Sequence, residues 1–262
     1  SDGLQTSDIE LNAARHFSNT MYNVMRGGIY VDNYNIDAAD FKKYVAEISK
    51  KVSNEQKALL DGLSDSLTNA ELLHKAEESK DADFIRICYE YLPLTFSRRH
   101  GDPSRPWNKF SIDTKNADGT PRSDYQGNWR DIFQNWEALS VSYPEFIENI
   151  ISKFVNASTA DGYNPYRIMR NGIDWESPDP DDPWAYIGYW GDHQIIYLQK
   201  LLELSNQYHP RKLKSLLTKD IFAYANVPYK IKPYTEILKN PQDTILFDAE
   251  KHEQIAELVK EM

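Results

Sequence analysis

Apolar positions recur at helical spacing over most of the chain. From Asp8 to Met25, residues Ile9, Ala13, Phe17, Met21 and Met25 fall on one side of a predicted helix, and Arg26-Gly27-Gly28 closes it. Ile29 to Tyr34 is short, β-branched and aromatic, and reads as extended. Asp37 or Asp40 can cap a second helix through Phe41, Tyr44, Val45 and Ile48. Ser53 to Ala76 reads as one or two Leu- and Lys-rich helices, with charged Glu77 to Asp83 exposed beyond them. Asp83 to Tyr91 fits either a helix or a strand. A Pro-, Gly- and Asn-rich segment then runs from Leu92 to Asn128, longer than most loops in compact domains.

Trp129 to Ser140 is a helix in which Trp129, Ile132, Phe133 and Trp136 share one face. Pro144 opens the next, along Phe146, Ile150 and Phe154. Thr159 to Pro183 is turn-rich and acidic, and Pro183 to Leu204 resumes a helical pattern, with Asn206 to His209 ending it before Pro210. Short helices follow from Leu213, and an amphipathic one closes the chain at 249–262. Strand signals are sparse. The pattern predicts a mainly α single domain over 1–262, made of helical hairpins, with long irregular loops gathered at one end and a loop-rich region at 92–193.

Composition sharpens this picture in one place. Aromatics are 13% of the 262 residues, and all six tryptophans lie between Trp107 and Trp190. Such bunching suits either one dense core region or a pocket walled by flat apolar faces, as sugars require. The formal net charge of -10 argues against a nucleic-acid backbone or an anionic membrane as partner. No apolar run approaches the roughly 20 residues that span a bilayer. Cys88 is the single cysteine, which favours a reducing, cytoplasmic setting over a secreted or periplasmic one.

Four stretches carry candidate chemistry. His100 to Asn108 is stiffened by two prolines and offers Arg105 as a donor and Trp107 as a stacking face. Tyr125 to Glu137 sets Arg130, Asp131 and Gln134 beside Trp129. A planar guanidinium and a carboxylate can grip neighbouring sugar hydroxyls from two sides, although Asp131 also suits a first-turn role on the helix dipole. Asn171 to Trp184 holds Asp174 and Glu176, a possible acid/base pair, before an acidic run that reads as a solvated turn rather than a calcium loop. Tyr189 to Gln194 adds Trp190, Asp192 and His193 at a helix start. No metal-ligand spacing, phosphate-cradling glycine loop or nucleophile triad appears, so neither metal nor cofactor is expected.

Taken in order, Arg130-Asp131-Ile132-Phe133-Gln134, then Pro144-Glu145, then Asp192-His193 resemble the cellobiose and chitobiose phosphorylases. These are carbohydrate-active enzymes built on an (α/α)6 toroid. The likeness covers about a third of the chain. It implies that Arg130 and Asp131 bind the sugar on the non-reducing side of the bond, with Asp192 and His193 at the rim of the site. That family's general acid sits in an Asp-Trp-Asn motif after the Asp-His helix, and none follows His193 here. Gly172-Ile173-Asp174 instead resembles the Gly-hydrophobic-Asp element of toroid glucosidases and trehalases, where the Asp is the acid. The chain is short for twelve toroid helices, which implies part of a longer enzyme.

The expected function is therefore a glycoside hydrolase or disaccharide phosphorylase, or a fragment of one. An oligosaccharide or glycoside would be the substrate, and phosphate a co-substrate under phosphorolysis. Catalysis is assigned to Asp174, with Glu176 and Asp192 in reserve. Binding is assigned to Arg105, Trp107, Trp129, Arg130, Asp131, Gln134, Trp190 and His193. The alternative is a non-catalytic helical module that binds a glycan or a protein.

Overall fold

The computed structural model describes residues 7–25, 29–97, 115–175, 195–241 and 243–261. Among these the fold is mainly helical, as the apolar spacing predicts. Helix α1 spans Ser7–Met25, α2 Ala38–Ile48, α3 Lys50–Glu55, α4 Lys57–Asp61, α5 Asn69–Ser79 and α6 Ala82–Glu90. Beyond them come α7 (Trp129–Leu139), a 3-10 turn at Pro144–Phe146, α8 (Ile147–Asn156), α9 (Ile195–Tyr208), α10 (Lys212–Leu216), α11 (Tyr234–Ile237) and α12 (Ala249–Glu261).

Local chemistry explains the boundaries. Asp37 is extended and accepts from the Ala39 N–H, capping α2. Thr68 and Glu71 form a reciprocal capping box at the start of α5. Asp81 accepts from Phe84 N–H at the start of α6. Helix α8 is buried almost along its length, and its Ile147-Ile150-Ile151-Phe154 stripe, with Phe146 just before it, joins Phe84, Ile87 and Cys88 of α6 in one core. Trp129, Ile132, Phe133 and Trp136 are wholly buried there, so the face predicted for α7 is a core face. Trp129 packs against Phe133 at 4.6 Å and Phe154 at 4.9 Å. Aromatic contacts of this kind each add about 0.5–1.5 kcal/mol beyond area burial.

Two features depart from the sequence-based expectation. The first is a mixed sheet of five strands in the order β1-β4-β5-β6-β7. Its members are β1 (Ile29–Tyr30), β4 (Leu94–Ser97), β5 (Asp124–Asn128), β6 (Arg167–Met169) and β7 (Gly172–Asp174). Strands of two to five residues are too short to show a period-two pattern, which is why the sequence reads as loop. β4 and β5 run parallel and the other pairs antiparallel. Smaller two-stranded sheets pair β2 (Asn35–Asp37) with β3 (Ser66–Thr68) and β8 (Tyr229–Ile231) with β9 (Ile245–Phe247).

The second departure is α1. Its Arg15 pairs with Glu137 of α7, and Asn12 lines the same cleft. At about 100° per residue Arg15 lies opposite Phe17 and well round the helix from Ile9 and Met21. Helix α1 thus turns its polar side to the neighbour, and Ile9, Phe17 and Met21 are exposed together with Leu11.

Candidate functional site

The sheet brings together residues that the sequence keeps far apart. Asn128, the last residue of β5, pairs with Arg167 of β6, and Arg167 pairs with Asp174 of β7. Residues opposite one another across antiparallel strands project to one face, and adjacent strands lie about 4.8 Å apart. Asp174 is therefore roughly 10 Å across the sheet from Asn128, the residue just before α7. The Asp174 carboxylate lies 3.7 Å from the Arg167 guanidinium, and its side chain is 49% exposed. Backbone bonds lock this corner, from Trp129 N–H to the Tyr166 carbonyl and from Tyr166 N–H to the Asp174 carbonyl.

Helix α7 leaves this corner with Arg130 and Asp131 in its first turn. The Asp131 side chain is buried and that of Gln134 is exposed. Trp129 is buried with the core, its ring closed in by Phe133 and Phe154. The start of α7, with Trp129, Arg130 and Asp131, thus shares one corner with Asp174. Gln134 lies further along the helix. Arg105, Trp107, Glu176, Trp190, Asp192 and His193 lie outside the described residues.

One atom-level feature of this corner escapes sequence reasoning. Asn128 has the extended backbone of an N-cap, φ -61° and ψ 139°, yet its side chain makes no capping bond. It is only 4% exposed, and neither its Oδ1 nor its Nδ2 has a hydrogen-bond partner. A buried polar group left so costs about 1–3 kcal/mol. The sequence signals Asn before a helix, which ordinarily means a cap. Only the three-dimensional pairing shows that the amide is not used as one.

A second polar site opens at the first turn of α2. A cleft of about 260 Å³ is lined by Asp32, Asp37, Asp40, Lys43, Arg122 and Arg170, among others. Arg170 donates to Asp40 at 2.7 Å and lies 3.4 Å from Glu47. Tyr91 donates its hydroxyl to the same Asp40 oxygen at 2.7 Å. Burial opposes the charge on Arg170, but Asp40, Tyr91 and Glu47 outweigh it and raise its pKa. Burial, then Asp40, pushes the Tyr91 hydroxyl well above the ordinary tyrosine value, so it remains a donor at neutral pH. Behind the cleft, buried Lys153 donates to the Arg170 carbonyl at 3.1 Å and contacts the Tyr44 hydroxyl at 3.4 Å. Asp40 and Arg170 stand far apart in sequence, and nothing local links them.

The described residues hold no group of three or more His, Cys, Asp or Glu placed to bind a metal ion. No helix among them is long and apolar enough to cross a membrane.

Residues 30–93 match the family model for glycoside hydrolase family 149 insertion domain 1, roughly a quarter of the chain. The match supports a carbohydrate-active enzyme, or a fragment of one, as the setting of this segment. No curated protein matches. The matched segment supplies Asp32, Asp37, Asp40, Lys43 and Tyr91 of the α2 cleft, whereas Asn128, Asp131 and Asp174 lie beyond it.

Proposed function

We propose that the chain is part of a carbohydrate-active enzyme that cleaves a glycosidic bond, and that it binds an oligosaccharide where β5 passes into α7. The observation that carries this reading is the ladder row Asn128–Arg167–Asp174, which sets a half-exposed carboxylate beside the helix that starts with Arg130 and Asp131. The family match over 30–93 supports the sugar class independently, because it lies outside that corner. In finer detail, the packed helices α5, α6, α8 and α9 are read as hairpins of an (α/α)6 toroid like that of the cellobiose and chitobiose phosphorylases.

Chemically, Asp174 is the proton donor to the leaving oxygen, with Glu176 and Asp192 as the reserve carboxylates. Arg130 and Asp131 hold the sugar on the non-reducing side. Arg105, Trp107, Gln134, Trp190 and His193 complete the binding set, whereas Trp129, closed into the core, supports the corner from behind. An inverting hydrolase needs a second carboxylate about 6.5–9.5 Å from the acid, leaving room for water. Phosphorolysis replaces that water with phosphate, which the N–H groups at a helix N-terminus can bind.

The test is incubation of the full chain with a panel of α- and β-linked glycosides, with and without inorganic phosphate. Cleavage that is lost about a hundredfold or more in Asp174→Asn supports the assignment. Full activity in that variant removes Asp174 as the acid. Absence of both cleavage and saturable change in tryptophan fluorescence across the panel ends the sugar reading.

A second reading is a non-catalytic glycan- or protein-binding module. It is favoured by the α2 cleft, whose polar lining comes largely from the segment matched as an insertion domain. Saturable binding without any cleavage selects it.

A further inference from the structure

The cleft at the first turn of α2 is built on elements other than those of the Asp174 corner. Its volume is about 260 Å³. That is below the roughly 300–1,000 Å³ of sites for drug-sized ligands, and leaves room for a single small ring. The floor is fixed before any ligand arrives. The Arg170 side chain is 8% exposed, and its guanidinium is held by Asp40 at 2.7 Å and Glu47 at 3.4 Å. The Arg170 N–H donates to the Tyr125 carbonyl, and the Arg170 carbonyl accepts from Lys153. The mouth is open to water. Asp32 and Asn35 are exposed there, and the Asn35 N–H donates to the Asp32 carbonyl at 2.9 Å. Backbone bonding shapes that turn, so its two side chains are spared that task.

The lining decides what chemistry fits. Asp32, Asp37 and Asp40 are balanced by Lys43, Arg122 and Arg170, so the walls are formally neutral in a chain of net charge -10. An anion would meet three carboxylates. A cation would find two of them engaged, Asp37 by the Ala39 N–H and Asp40 by Arg170 and Tyr91. An apolar ligand would find little beyond Val31, Ala39, Pro93 and Pro121. A neutral polyhydroxylated ring suits interleaved donors and acceptors, because each hydroxyl can both donate and accept. We infer that the α2 cleft is a second saccharide site, separate from the corner at β5 and α7, holding one neutral sugar ring whose hydroxyls bond Asp32 and Asn35 at the mouth. Residues 30–93 supply that mouth, and Arg122 and Arg170 from beyond the match close the cleft. The inference rests on the saccharide class proposed above but not on Asp174 as the acid, and it gives binding and cleavage to different parts of one chain. It also sets a selectivity: a uronate ring brings its own carboxylate against three others and is rejected.

The experiment is calorimetric titration of the full chain at neutral pH with cellotetraose, maltotetraose, chitotetraose and tetragalacturonate. Wild type, Asp174→Asn and the double variant Asp32→Ala/Asn35→Ala are compared, and each is also melted without ligand. At least one of the neutral tetrasaccharides should bind wild type and Asp174→Asn equally. The double variant should bind it about tenfold or more weakly, at an unchanged melting temperature because both side chains are exposed. Tetragalacturonate should not bind. Lys43→Met, at another exposed position of the lining, should also weaken binding, and it carries the comparison should the double variant fold poorly. Equal affinity in wild type and the lining variants overturns the inference and leaves the saccharide function standing. Binding lost in Asp174→Asn but kept in the double variant puts the sugar at the corner and overturns it too. So does tetragalacturonate binding as tightly as the neutral sugars. Failure of every sugar to bind wild type that still cleaves glycosides removes the second site alone. Failure of both binding and cleavage removes the saccharide reading with it.

Discussion

Asn149 shows how much a single side chain carries in this core. Fully buried on α8, it accepts from Asn69 Nδ2 at 2.8 Å, and its own Nδ2 lies within bonding distance of the Cys88 and Tyr91 carbonyls. Those carbonyls lie at the end of α6, where the Cys88 carbonyl also accepts from the Tyr91 N–H. Asn149→Ala should therefore cost about 3 kcal/mol, because several buried groups lose their partner at once. Urea denaturation would read this as a lower midpoint at constant slope. Cys88 sits beside that network, and burial raises its thiol pKa well above the ordinary value. Since only the thiolate reacts, a thiol-labelling reagent should leave native protein untouched and label one equivalent in denaturant. Native-state labelling at the unfolded rate would contradict the packing. Little of this is legible in the sequence. Asp37 before an apolar periodic run announces a cap, but Asn149 and Asn128 look like ordinary polar residues until the partners, present or absent, are placed around them.

The helices were more legible than the strands, for a physical reason. Helix α2 declares itself through Asp37 and the spacing of Phe41, Tyr44 and Val45, all buried. β6 and β7 are three residues each, and their identity depends on the partner strand rather than on any local pattern. The corner that unites Asn128 with Asp174 was for that reason invisible, although each flanking residue could be named. The caps also make a pH prediction. Burial of Asp81 alone would raise its pKa, but bonds from the Phe84 N–H and the Gln56 amide outweigh it and lower it. For Glu71 the bonds from Thr68 lower the pKa, and for Glu77 the Lys219 ammonium overcomes a burial effect of opposite sign. Depressed carboxylates stabilise the fold fully above their unfolded pKa near about 4, and that contribution disappears as pH falls through their folded values. The melting temperature should be level from neutral pH to about 5 and decline below about 4. In Asp81→Asn that acid decline should be shallower, since asparagine caps a helix about as well as aspartate but does not titrate. A parallel decline in both proteins would assign the acid sensitivity elsewhere.

At the scale of the whole molecule, the family match and the packing mark different units. Residues 30–93 are a recognisable stretch of sequence, but they share one core with residues further along the chain. Tyr30 stacks on Phe146 at 4.3 Å, Arg170 reaches back to Asp40, Lys153 to Tyr44, and Asn149 to the end of α6. The sheet repeats the pattern, since Tyr30 of β1 is joined there by β4, β5, β6 and β7, all from beyond the match. Residues 30–93 expressed alone should give no cooperative melt, whereas the full chain should melt in a single transition. A sharp transition in the short piece would show that α8 is a lining rather than a support. Overall composition and helical periodicity were enough to read the class of fold. The junctions were not, because they join residues by pairing across long stretches of chain. Anyone wishing to move this module into another protein, or to trim it for crystals, would find that the recognisable boundary near residue 93 cuts through masonry, and a graft made there would carry away half of a wall.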